Sequence, residues 1–384
     1  MNLIYRGLAA GACALGLVVL AADPGELSAQ PKKADPKKDE KKNPVVDDKG
    51  KTDVIGSFTT QDGLGIRRYW FSAGKGSADA VLMFPAPGKK ITDAWIGLGK
   101  ALQREGFSVM LFDWRGCGMN GPERGERILV KPDVYRTDVM YTSAPKSIAT
   151  KGLDWNTMTG KYRDTILYDL MGARFALDKQ NDSGQCNTNR IWLISEGAGA
   201  QLAMAWIAAE SARNTTYVRA NRFDDQPPPY TPASLDYVGV VALSYSPTSG
   251  LASEVYRNGV PNSGRYTKET NEHFDRRVAM VMIHGKKEGA SASRNMLGKY
   301  VNTASEDEMR RRFKYLKEID TTSVGKDLRG IDLVTDKDPF GTQAYIVKAM
   351  TEIRDKNDAG KERTQRDADK YGDIPIFEIG KFKR

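Results

Sequence analysis

The chain has 384 residues, 40% hydrophobic and 28% charged, with 58 Lys and Arg against 49 Asp and Glu. That is enough for one large folded domain, and three Cys without a ligand-like spacing exclude a cysteine metal site or a redox pair. The formal charge of +9 is diffuse, with no dense Arg/Lys stripe, which argues against nucleic-acid binding.

The first segment in chain order is an address. Arg6 gives a short positive start, and Leu8 to Ala22 is an apolar run too short and too rich in small residues for a comfortable membrane span. Residues 1–29 read as a secretory signal, with cleavage after Leu27-Ser28-Ala29 or at Ala21/Ala22. The alternative is an uncleaved N-terminal anchor, the only route to membrane contact. Cys13 follows Ala10-Gly11-Ala12, a weak match to a lipoprotein motif. Residues 30–53 are Lys- and Pro-rich with almost no apolar side chains, so they form a solvated linker. The linker is a spacer or a contact with an anionic envelope polymer. Residues 54–384 form the domain. Cys117 and Cys186, placed by the pattern at opposite ends of a sheet, are expected to be free thiols.

Val54 to Thr60 and Ile66 to Ser72 alternate around a turn and predict an antiparallel hairpin. Ala80 to Phe84 is a continuous apolar run, as in a strand buried on both faces, and ends in Pro85-Ala86-Pro87-Gly88. Ile91 to Glu105 has helical spacing. Phe107 to Phe112 is a second buried strand, followed by Asp113-Trp114-Arg115-Gly116-Cys117-Gly118-Met119-Asn120. Residues 121–160 lack a period and form an excursion over the sheet, and Lys161 to Lys179 is an amphipathic helix. After the strand and helix around Gly197 come a second excursion, 214–235, and strands at Tyr237–Leu243 and Val278–Ile283. Phe313–Ile319 and Ile331–Val334 are candidate closing strands. A helix runs from Phe340 to about Ile353, residues 355–373 are solvated, and Ile374–Ile379 could add an edge strand. A hairpin followed by alternating buried strands and helices predicts a mostly parallel α/β sheet flanked by helices. Its site belongs at the strand C-termini.

The stretch Asn189 to Glu210 organises the rest. Ile191 to Ile194 is a buried strand, Ser195-Glu196-Gly197-Ala198-Gly199 a tight turn of small residues, and an Ala-rich helix follows. Strand, sharp turn and helix are the setting of a nucleophile elbow. From about Val54 to Ile353 the element order resembles the α/β-hydrolase fold, in its esterase- and peptidase-like branch. DWRGCGMN is similar to that family's D-x-R-G-x-G-x-S, and SEGAGA stands where G-x-S-x-G-G is expected.

The resemblance assigns each catalytic role to a residue, and the residues depart from it. The nucleophile position is Gly197, which has no side chain to attack with. Glu196 precedes it. The acid position is Glu288, and the closing His-Gly is Phe340-Gly341. The chain has two His, His273 in a polar stretch and His284 at a strand end, neither where the family places its base. The oxyanion hole would use the N–H of Ala198 and one from the loop after the third strand, where the motif falls on Pro87, which has no N–H. Ala86 and Gly88 keep theirs. No metal motif, phosphate loop or cofactor motif is present. The signal segment, the resemblance and the departures from it together predict a secreted, periplasmic or envelope-facing protein of α/β-hydrolase fold without triad chemistry, acting in binding of a small molecule or an envelope component. Glu196, Arg115, Asn120 and Glu288 are the polar groups expected in its cleft. The alternative is an esterase- or peptidase-like hydrolase that uses Ser244, Ser246 or Glu196 with His284.

Overall fold

In a computed structural model of the protein, the described residues are 53–60, 64–121, 154–157, 166–207, 236–246, 278–288, 292–293, 314–321, 327–334, 338–357 and 363. By its contacts the chain divides into Met1–Asn43 and Pro44–Arg384, and every described residue lies in the second unit. The signal, most of the linker, the excursion 214–235, His273 and Ile374–Ile379 lie outside the described residues, as does most of 121–160.

Among the described residues, eight strands form one sheet. They are β1 (Asp53–Thr59), β2 (Gly65–Phe71), β3 (Asp79–Phe84), β4 (Ser108–Phe112), β5 (Asn187–Glu196), β6 (Tyr237–Leu243), β7 (Ala279–Gly285) and β8 (Leu316–Ile319). The strand order is β1-β2-β4-β3-β5-β6-β7-β8. β1 pairs with β2 and β2 with β4 in antiparallel fashion, and every later pairing is parallel. An antiparallel hairpin leading into a parallel, doubly covered sheet is the α/β-hydrolase architecture expected from the sequence.

The covering follows from the two-residue period of the strands. Leu82, Phe84, Met110, Phe112, Leu193, Val240 and Met282 share one core cluster with side chains of α2 (Leu167–Asp182) and α3 (residues 197–207). Their neighbours Val81, Met83, Val109, Leu111, Trp192, Ile194, Val241 and Ile283 share the other with α1 (Asp93–Arg104) and α4 (Thr342–Asn357). Burial on both faces is why these strands read as unbroken apolar runs rather than alternating ones.

One expected element changes type. Of Ile331–Val334, read as a closing strand, the first three residues belong instead to a short 3-10 helix, Gly330–Leu333, and Val334 follows it. Gly330 opens it with φ +58, and Ile331, Leu333 and Val334 are buried in the second core cluster. A four-residue apolar run satisfies either conformation when it is buried. Among the described residues no helix is long and apolar enough to cross a membrane.

Candidate functional site

The parallel strands end together, and the loops leaving β3, β4, β5, β6 and β8 meet at that edge. β5 runs to Glu196 and α3 begins at Gly197 without an intervening loop. So sharp a reversal needs a left-handed residue, and Gly197 has φ +51. Among the described residues, a Cβ placed on it would find only the Ala86 methyl, at 4.0 Å. Gly199 is different, because a Cβ there would overlap the Ser195 hydroxyl and crowd the Pro85 carbonyl oxygen. The small residues of the turn thus let α3 start hard against the loop after β3. Ser195 is fully buried and its hydroxyl donates to the Phe84 carbonyl oxygen at 2.7 Å. Ser195 staples two strands and presents nothing outward.

The loop after β3 is a β-turn. Lys89 N–H donates to Ala86 O at 2.9 Å, with Pro87 and Gly88 in the central positions and Gly88 at φ +87. Proline followed by a positive-φ glycine is what a type II turn requires. Ala86 is buried at its start, and its methyl is the atom nearest the open space above Gly197.

The loop after β4 is knitted by its own side chains. The Asp113 carboxylate accepts N–H from Ile91 at 2.7 Å and from Met119 at 2.8 Å. Asn120 donates through Nδ2 to Asp113 O at 2.6 Å and accepts Arg67 N–H at 2.8 Å. Arg115 is fully buried. Its Nε and Nη2 donate to Asp169 Oδ1 at 2.8 and 2.6 Å, while its own N–H donates to Oδ2 at 2.9 Å. Arg115 and Asn120, expected as polar groups of the cleft, are therefore internal braces. The motif's polar residues build the loop and do not line the cavity beside it.

That cavity is an open cleft of about 510 Å³. Lys89, Lys90 and Thr92 wall it from the β3 side, and Gly116, Cys117, Gly118 and Gly121 form the β4 side. Asp154, Trp155 and Asn156 make a third wall. Glu196, Ile331 and Asp332 complete it. The Trp155 N–H donates to Gly116 O at 3.0 Å, and a Cβ on Gly88 would touch the Trp155 indole nitrogen at 2.9 Å. Indole and glycine are in direct contact, which fixes this wall. The Cys117 thiol is pushed up to about 12 by burial, so it is neutral at physiological pH and not a nucleophile. Both Cys117 and Cys186 are free and buried.

Glu196 is the buried carboxylate of the cleft. Its Oε2 accepts the Ile331 N–H at 2.9 Å and lies 3.5 Å from Lys89 Nζ. A Cβ on Gly330 would overlap this carboxylate, so the segment after β8 is pressed onto the end of β5. One strand over, Ser244 follows β6 with φ +49. Its hydroxyl donates to Glu288 Oε2 at 2.6 Å and accepts the Gly330 N–H at 2.6 Å. Two successive amides after β8 are thus clasped by side chains from β5 and β6.

The remaining sequence candidates lie apart from the cleft. Ala198 and Pro87 are half-buried and do not line it. His284 is buried on β7, with Nε2 3.4 Å from a Glu318 carboxylate oxygen and no hydrogen-bond partner on either ring nitrogen. It does not engage Ser244. Phe340 packs against the core cluster of α1 and α4. The post-β8 residues that reach the cleft are Ile331 and Asp332. Lys89 and Lys90 were legible only as loop charges, and Asp332 lay within Ile331–Val334, the run read as a closing strand. Asp154 to Asn156 carried no signal at all, because they sit inside a stretch without a period. Among the described residues no group of three or more His, Cys, Asp or Glu could hold a metal ion.

No protein-family model matches the chain, and no curated protein sequence matches it. Among solved structures, an esterase of Pyrococcus furiosus, Pf2001, is similar at 12% identity and TM-score 0.41, covering 79% of this chain and 90% of that one. Esterase Est22 is similar at 12% identity and TM-score 0.42, covering 78% and 79%. Carboxyl esterase 2 of the mycorrhizal fungus Tuber melanosporum is similar at 12% identity and TM-score 0.42, covering 79% and 87%. Likenesses of this degree carry no argument about the chemistry of the site.

Proposed function

We propose that this protein is an exported α/β-hydrolase-fold protein that lacks triad catalysis and binds a small molecule or an envelope component in the cleft at the end of its sheet. The observation that carries the reading is Gly197. It occupies the apex between β5 and α3, where, among the described residues, only the Ala86 methyl comes within 4.0 Å of the point at which a side chain would start. Without a nucleophile no covalent intermediate forms. No imidazole lines the cleft among the described residues, and the described histidine, His284, is buried on β7 away from it.

The test is a fluorophosphonate probe and a panel of p-nitrophenyl acyl esters on the purified chain. Neither labelling nor turnover above buffer is expected. Labelling abolished by a single Ser or His substitution would sink the reading.

A second reading, a hydrolase with relocated residues, is favoured by Ser244. It is a non-glycine residue in left-handed backbone, and it holds a carboxylate partner at 2.6 Å. Against it, the Ser244 oxygen already accepts the Gly330 N–H and does not line the cleft. Turnover lost in Ser244→Ala would establish it.

Export rests on Arg6 and the run Leu8–Ala22. N-terminal sequencing of the mature protein is expected to begin after Ala29 or Ala22. An intact N-terminus in the membrane fraction would point instead to an anchor.

A further inference from the structure

We draw no further inference here: the strongest candidate, the Arg68 guanidinium on the β1–β2 hairpin, whose central carbon lies 5.7 Å from the Trp70 ring centre and whose buried Nε and Nη1 lack hydrogen-bond partners, carries nothing because it lies apart from the cleft and nothing in the structure shows which anion would reach it.

Discussion

Cys117 and Arg115 sit two residues apart in one loop and are held by opposite logic. The Cys117 thiol is apolar packing, raised to about 12 because burial penalises the thiolate. An ordinary thiol ionises near 8.5, so the folded state binds its proton more tightly than the unfolded chain. The contribution of this group to stability is therefore full below about pH 8.5 and is lost as pH climbs toward about 12, at up to about 1.4 kcal/mol per pH unit. Denaturant titrations of the wild type and Cys117→Ala at a series of alkaline pH values should diverge in that window, the variant falling less steeply. Parallel curves would refute the assignment. Arg115, in contrast, is a charge kept inside by Asp169. Asp169→Asn leaves a buried guanidinium without its counter-ion and should cost about 3–5 kcal/mol, read from the urea midpoint. The D-x-R-G-x-G pattern made the loop recognisable in the sequence. It did not reveal that Arg115 and Asn120 face inward, because their partners Asp169 and Arg67 lie 54 and 53 residues away.

The elements follow the same division between local and distant information. β3, β4 and β6 were legible because burial on both faces makes them continuous apolar runs, and α1 because its apolar positions recur at helical spacing. The segment after β8 was not, because its conformation is imposed from outside. Gly330 and Ile331 give their amides to Ser244 and Glu196, side chains 86 and 135 residues earlier in the chain. Ser244→Gly separates that clasp from backbone strain. The substitution relieves a left-handed non-glycine residue, worth about 1–2 kcal/mol, and removes the hydroxyl between Glu288 and Gly330. Global stability should change by less than about 1 kcal/mol as the two effects offset, while hydrogen exchange at the Gly330 amide should quicken about tenfold. Unchanged exchange over 327–334 would mean that core packing of Ile331, Leu333 and Val334 holds the segment without the clasp.

At the scale of the molecule, the proposal that triad catalysis is absent makes a prediction about substitutions at the elbow, whose positions depend on one another. Among the described residues Gly197→Ser meets no steric obstacle, since the nearest atom to a new Cβ is 4.0 Å away, and its cost is the left-handed backbone, about 1–2 kcal/mol. A base is harder to supply. The resemblance aligns the family's histidine with Phe340, but that half-buried side chain packs against the core cluster of α1 and α4, while the segment reaching the cleft is clasped down with Ile331 and Asp332 in place. The oxyanion donors are depleted as well, because Pro87 brings no N–H to the turn that faces the elbow. Gly197→Ser with Phe340→His should therefore fold, with a melting temperature within a few degrees of wild type, and should hydrolyse p-nitrophenyl butyrate no faster than buffer. Losing a single oxyanion donor costs about 100- to 1000-fold in kcat in enzymes whose triad is otherwise complete. A burst of p-nitrophenol from the double variant would show that the post-β8 segment yields to place an imidazole over the elbow, and that Gly197 and Phe340 alone separate this chain from catalysis.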